Sequence, residues 1–227
     1  MKGFFKSILF LTVITTSAIS INAAENHEDG PNISYGLSAN FGISTAVQSK
    51  GTNQYKPGIS YGCDFIFEKM FSNTLGLHSG ISFAQLSSSY LQRGLPDTWI
   101  EVITRSLSLP VYMIASINKN FFSFNLLCGF YVSYLFEAEM INPGSIPGGG
   151  SADILKYLNH YQFGTGVGIN FKFRINHFFD LFFGLSTEFS FIDLIAEKGN
   201  DKTYDHLING KFNIGFLFRT NPFPIEY

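Results

Sequence analysis

Residues 160–174, HYQFGTGVGINFKFR, alternate in character at every step. Tyr161, Phe163, Thr165, Val167, Ile169, Phe171 and Phe173 interleave with His160, Gln162, Gly164, Gly166, Gly168, Asn170, Lys172 and Arg174. A two-residue period puts alternate side chains on opposite faces of a strand. The three glycines do not form a phosphate loop: neither G-x-G-x-x-G nor G-x-x-x-x-G-K-[ST] is present, and Lys172 falls too late. The segment is a strand with one bulky apolar face and one small or polar face.

The same alternation recurs seven more times. Ile33, Tyr35, Leu37, Ala39, Phe41 and Ile43 oppose Ser34, Gly36, Ser38, Asn40, Gly42 and Ser44. Ile59, Tyr61, Cys63, Phe65 and Phe67 oppose Ser60, Gly62, Asp64 and Glu68, with Ile66 an exception. Leu75, Leu77, Ile81 and Phe83 oppose Gly76, His78, Gly80 and Ser82. Around 105–116, Leu107, Leu109, Val111 and Met113 share a face, while Tyr112 and Ile114 lie opposite and Pro110 interrupts. A proline inside a strand implies a bulge or a missing ladder bond, and the register before Leu107 stays open. Runs at 122–136, 179–191 and 211–219 complete eight strands, each near the ~9–11 residues that cross a membrane.

The connections alternate in length. Residues 45–57, 86–98, 137–158 and 193–209 form long ones; those near 69–73, 117–120 and 175–177 are short. Outer-membrane barrels have short periplasmic turns and longer outer loops, and here both termini fall on the short side. A soluble barrel or sandwich would turn its bulky faces inward. The interior of eight strands is only wide enough for side chains to fill, and these Phe-, Tyr- and Leu-rich faces are too large for it. The bulky face therefore points outward, into lipid. Every backbone amide in hydrocarbon must be paired, so the sheet closes. The expected fold is an all-β, eight-stranded, antiparallel, up-and-down transmembrane barrel.

The start of the chain fits an exported protein. Lys2 and Lys6 precede an apolar run from Ile8 to about Ile21, followed by small residues at Ala23 and Ala24, the pattern of a secretory signal peptide. The expected organisation is a cleaved signal over 1–24, with the cut after Ala23 or Ala24, a short periplasmic lead over 25–31, the barrel over 32–220 and a tail over 221–227. Of 15 basic residues two lie in the signal, leaving 13 against 17 acidic residues, with no basic clustering of the kind that binds nucleic acid. The chain holds 26 phenylalanines and only 14% charged residues, as a barrel with interleaved apolar positions would.

Chemistry-bearing residues are few. Glu68, Lys172, Arg174, Asp180 and Arg219 near the turns, and Asp64, His78 and Glu188 above them, should face the lumen. They read as a charge network that fills the interior and fixes the register, in preference to an ion or proton path. Cys63 and Cys128 fall on the lipid face of non-neighbouring strands, so two free thiols are expected. Asp201, Asp205 and His206 are scattered polar loop residues, and no metal is expected. Ser87, Ser88 and Ser89 with Asp97 and His206 are the one conceivable nucleophile grouping at the outer rim, and no catalytic site is assigned. Residues 143–151, PGSIPGGGS, read as loop. No cofactor is expected.

The stretch LSLPVYMIASINKNFFSFNLLCGFYVSYLF (107–136) resembles the small outer-membrane barrels of Bacteroidota that include PorT-like proteins. There an L-x-[IL]-P strand, a short turn and a G-x-Y-x-x-Y-L strand form a hairpin. Here these are Leu107-Ser108-Leu109-Pro110 and Gly129-Phe130-Tyr131-Val132-Ser133-Tyr134-Leu135. FGTGVGINFKF and FNIGFLFR are similar to later strands of that family, though the tail TNPFPIEY runs past Phe218, where many such barrels end on an aromatic. The resemblance implies a membrane barrel and brings no catalytic motif. The function expected is non-enzymatic, structural or surface-interacting through the outer loops. A PorT-like accessory role in secretion and an outer-membrane enzyme acting on lipid or peptide are the alternatives. Expected partners are outer-membrane lipid, the barrel-assembly machinery and, on the secretion reading, secretion components; the barrel is expected to be a monomer.

Overall fold

A computed structural model describes residues 32–48, 55–91, 99–119, 121–141, 150–195 and 205–220. The expected signal, lead and tail, as well as Asp97, Asp201 and residues 143–149, lie outside them. All eight alternating runs are strands: β1 (Asn32–Gln48), β2 (Tyr55–Met70), β3 (Leu75–Leu91), β4 (Trp99–Lys119), β5 (Phe122–Ile141), β7 (Tyr161–Arg174), β8 (Phe179–Ser190) and β9 (Asp205–Arg219). A further short strand, β6 (Ser151–Asp153), pairs with the outer end of β5 and is followed by a 3-10 turn at Leu155–Tyr157. The antiparallel ladder runs β4-β3-β2-β1-β9-β8-β7-β5, and pairing of β4 with β5 closes it into an eight-stranded barrel. No helix among the described residues is long and apolar enough to cross a membrane; the strands do the crossing.

The faces point as the alternation requires. Phe41, Ile59, Leu109, Val111, Phe130 and Leu185 are exposed, whereas Ser38, Asn40, Ser60, Asn125 and Gln162 are buried. On β4 the outward apolar run extends from Leu107 to Ile117. At ~3.3 Å per residue and a tilt of ~40° this rises roughly 25 Å, the height of the apolar band on outer-membrane barrels. Rings pack along that band, as in the offset pair Phe130–Phe163 at 5.8 Å and the Phe122–Phe171 and Phe179–Phe218 contacts near the short turns. Cys63 and Cys128 are free and exposed on this face.

Two irregularities account for the difficult fourth strand. Pro110 has no N–H to give, and the β3–β4 ladder lapses between Ser79↔Val111 and Ser82↔Ser108, where Ser79 Oγ donates to the Pro110 carbonyl at 2.9 Å. Separately, the β4–β5 register shifts by one between Arg105↔Glu137 and Ser106↔Leu135, leaving Phe136 as the extra residue of a bulge. The β4 strand continues upstream to Trp99.

The expected outer loops are shorter than their sequence limits. Strand β1 runs on to Gln48, β3 to Leu91, β5 to Ile141, and β9 begins at Asp205. Above the hydrocarbon the outward side need not be apolar, so alternation ends while backbone pairing continues. Past Tyr134, its last residue paired with β7, β5 extends seven residues to Ile141, roughly 20 Å along the strand. The β7–β8 side stops lower and is closed over by residues 154–159 and 191–195. Here Leu158 bridges to Ile195, Leu194 donates to Asp205 O, and Leu135, Ala138, Leu158 and Leu194 form a buried cluster. Asp205 and His206 thus belong to a strand and not to a loop.

Candidate functional site: the packed lumen and the outer rim

The inward residues fill the barrel in layers. At the periplasmic end Arg219 Nε and Nη2 donate to Asp180 Oδ2, at 2.7 and 2.5 Å. Above them Glu68 takes an ion pair from Lys172, and its other oxygen lies 3.0 Å from His78 Nδ1. With its amide turned so that the nitrogen donates to Ser116 Oγ, Asn125 accepts from Lys172 Nζ at 3.0 Å. Ile66, Phe182 and Leu217 form one apolar cluster at this level; Tyr112, Ile114 and Leu127, with Met70 against them, form another.

The middle of the lumen is polar. Asp64 accepts from Ser38 at 2.8 Å, Asn40 at 3.1 Å and Ser82 at 2.5 Å. Glu188 accepts from Lys211 at 2.7 Å and from the Tyr112 hydroxyl at 3.2 Å. A void of about 50 Å³ lies between these carboxylates, and a second of about 20 Å³ lies above Glu188 and Lys211. Such spaces hold a few waters. Near the outer end Ala84, Leu86 and Leu207 cluster, and Ser190 Oγ donates to Gln162 at 2.5 Å.

The glycines of residues 160–174 belong to this packing. A methyl group at Gly166 would stand 2.5 Å from the Tyr112 hydroxyl, and one at Gly164 would stand 2.7 Å from the Tyr131 ring. Tyr112 has little room to withdraw, since it stacks on His78 at 6.0 Å and is held by Glu188. Gly166→Val should therefore destabilise the barrel by about 1–3 kcal/mol, as overpacking does, measured by urea unfolding in lipid vesicles. An unchanged midpoint would mean that Tyr112 is not seated across Gly166.

The eight ionisable residues assigned to the lumen by alternation are inward, and Glu68, His78, Lys172 and Asp180 are buried. Lys211 was not among them, although its place on the inward side of the last strand marked it. Of the rim grouping the structure describes the serines and His206, while Asp97 lies outside the described residues. Ser87 Oγ donates to Glu101 at 2.5 Å and Ser87 O accepts from Ser44, while the His206 ring packs on Phe189 at 5.4 Å. Among the described residues no group of three or more His, Cys, Asp or Glu is placed to hold a metal. On the outward side above the apolar band stand Arg105, ion-paired with Glu137 and donating to Gln85 at 2.9 Å, and Trp99, whose ring lies 3.7 Å from Lys56 Nζ.

The family described as outer membrane protein beta-barrel domain matches the sequence over residues 23–196, well over half of the chain. No curated protein matches it. Similar solved structures include Ail, the attachment invasion locus protein of Yersinia pestis, crystallised with the heparin analogue sucrose octasulfate. It has a TM-score of 0.44 and 13% identity, over 82% of this chain and 98% of that one. OprG of Pseudomonas aeruginosa has a TM-score of 0.44 and 15% identity, over 86% and 98%. A major outer membrane protein of Thermus thermophilus has a TM-score of 0.48 and 12% identity, over 84% and 100%.

Proposed function

The chain belongs to the outer membrane protein beta-barrel domain family and resides in the outer membrane, and from that premise we propose a non-enzymatic role: a structural barrel that presents its outer rim to partners. The observation that carries this reading is the wall of paired strand that β3, β4 and β5 continue above the apolar band. Paired backbone there carries Trp99, Arg105 and Glu137, and Lys56 of the adjoining β2 reaches the Trp99 ring; exposed residues on such a scaffold serve recognition. The packed lumen supports the same reading, since its two voids among the described residues, of about 20 and 50 Å³, have room for a few waters.

The test compares cells that lack the protein with cells carrying the wild type or a Lys56→Ala/Trp99→Ala/Arg105→Ala variant. Adhesion to immobilised glycans and matrix proteins is scored beside quantitative proteomics of the periplasm and medium. The surface reading expects adhesion lost in the deletion and in the variant, with export unchanged. Accumulation of cargo proteins in the periplasm of the deletion strain, with adhesion intact, would instead make the barrel a PorT-like secretion accessory.

A further inference from the structure

The short turns place two phenylalanines where lipid does not reach. Phe121 and Phe178 are 68% and 54% exposed. Phe121 O accepts from Arg174 N and Phe178 O from Arg219 N, both at 2.8 Å, so each stands one rung beyond its ladder and opposite an arginine. Arg219 reaches Asp180 inside the lumen, and Ser123 and Asp180, two residues on from the phenylalanines, are buried. The two-residue period therefore puts both rings on the inward side, at the periplasmic mouth. Apolar groups gathered in water mark a surface that something covers.

The chain supplies a matching segment at the same rim. Thr220 is tied to β1, its N and Oγ1 both donating to Ile33 O, at 2.9 and 3.0 Å. The residues that follow are Asn221-Pro222-Phe223-Pro224-Ile225-Glu226-Tyr227. Pro222 and Pro224 have no N–H to offer a ladder, and each favours extended backbone at the residue before it. An extended course puts Phe223, Ile225 and Tyr227 on one side. The one charge in this stretch, Glu226, suits a mouth that carries Arg174 and Arg219 beside Asp180. Reach is sufficient. From β9 to β5 is three strand spacings, roughly 14 Å, and residues 221–227 at ~3.1 Å each span about 22 Å.

We propose that residues 221–227 dock across the periplasmic mouth, with Phe223 and Ile225 against the rings of Phe178 and Phe121 and Glu226 towards the arginines. The mouth is then a peptide-binding surface that carries its own ligand. A periplasmic protein that uses this face has to displace the tail first, so the tail sets the threshold for contact on the side of the barrel opposite the outer rim.

The experiment compares the full chain with one cut after Thr220, both carrying Cys63→Ser/Cys128→Ser, refolded in detergent micelles and checked for the gel-mobility shift of a folded barrel. Phe178→Cys in this background is reacted with a water-soluble maleimide. The full chain should label at least tenfold more slowly than the shortened one, and Phe121→Cys should repeat the difference from the other side of the mouth. Asn176→Cys, exposed in the same turn as Phe178, should label at one rate in both. Added peptide NPFPIEY should slow labelling of the shortened chain, and NPSPSEY should not. A full chain with native Phe121 and Phe178 gives an independent reading: a photoreactive phenylalanine at position 223 should cross-link to the turns that carry those two residues. Equal labelling with and without the tail would leave the face open to an outside partner. That result, protection that extends to Asn176→Cys, protection by NPSPSEY, or cross-links to detergent alone would each overturn the proposal.

Discussion

Lys172→Met lowers the unfolding free energy of the barrel by about 3–5 kcal/mol, the cost of leaving one member of a buried ion pair without its partner. Glu68 is 2% exposed and would keep only His78. The loss comes mostly from the stranded carboxylate, not from the missing bond, and this makes a second measurement decisive. The double variant Glu68→Leu/Lys172→Met strands no charge and should recover most of the difference. Urea titration in lipid vesicles reads both. A double variant as unstable as the single one would show that shape, and not charge, governs this layer.

Val111→Arg should cost about 2–4 kcal/mol, the penalty for an arginine on the lipid face near the bilayer midplane. Val111 is half exposed, between Leu109 and Met113 on the outward run of β4. The same substitution at Ile103, outward on β4 but above the band, should cost no more than about 1 kcal/mol, because the penalty falls away towards the interface. The gradient between the two positions is the measurement. Equal costs would mean that the apolar band is not where lipid lies.

The outward and inward faces could be read from the sequence because a strand in a closed barrel has one period and two environments. Even the exceptions were informative: Ile66, Tyr112 and Ile114 break the pattern by facing inward, and they are the residues that seal the lumen. Choice of partner could not be read. Glu68 and Lys172 are 104 positions apart, and which inward residues meet across the interior depends on strand stagger, which no local pattern records. The register of β4 was ambiguous because its reference, β5, carries an extra residue at Phe136. The outer wall reads as loop in the sequence because alternation reports the solvent on each face, and water bathes both faces above the membrane. For the same reason the rim residues Trp99 and Arg105 carried no sequence signal of their placement.

The unequal height of the rim gives the molecule a heading. A cylinder of even height presents the same profile from every direction in the plane of the membrane, so its orientation carries no information. Among the described residues β3–β5 stand raised and β7–β8 stop short, so paired strand is met higher on one side than on the other. Rotation about the membrane normal then becomes part of recognition. Anything that restrains that rotation, such as crowding or a tether, would change how often the tall side is met without altering a single contact.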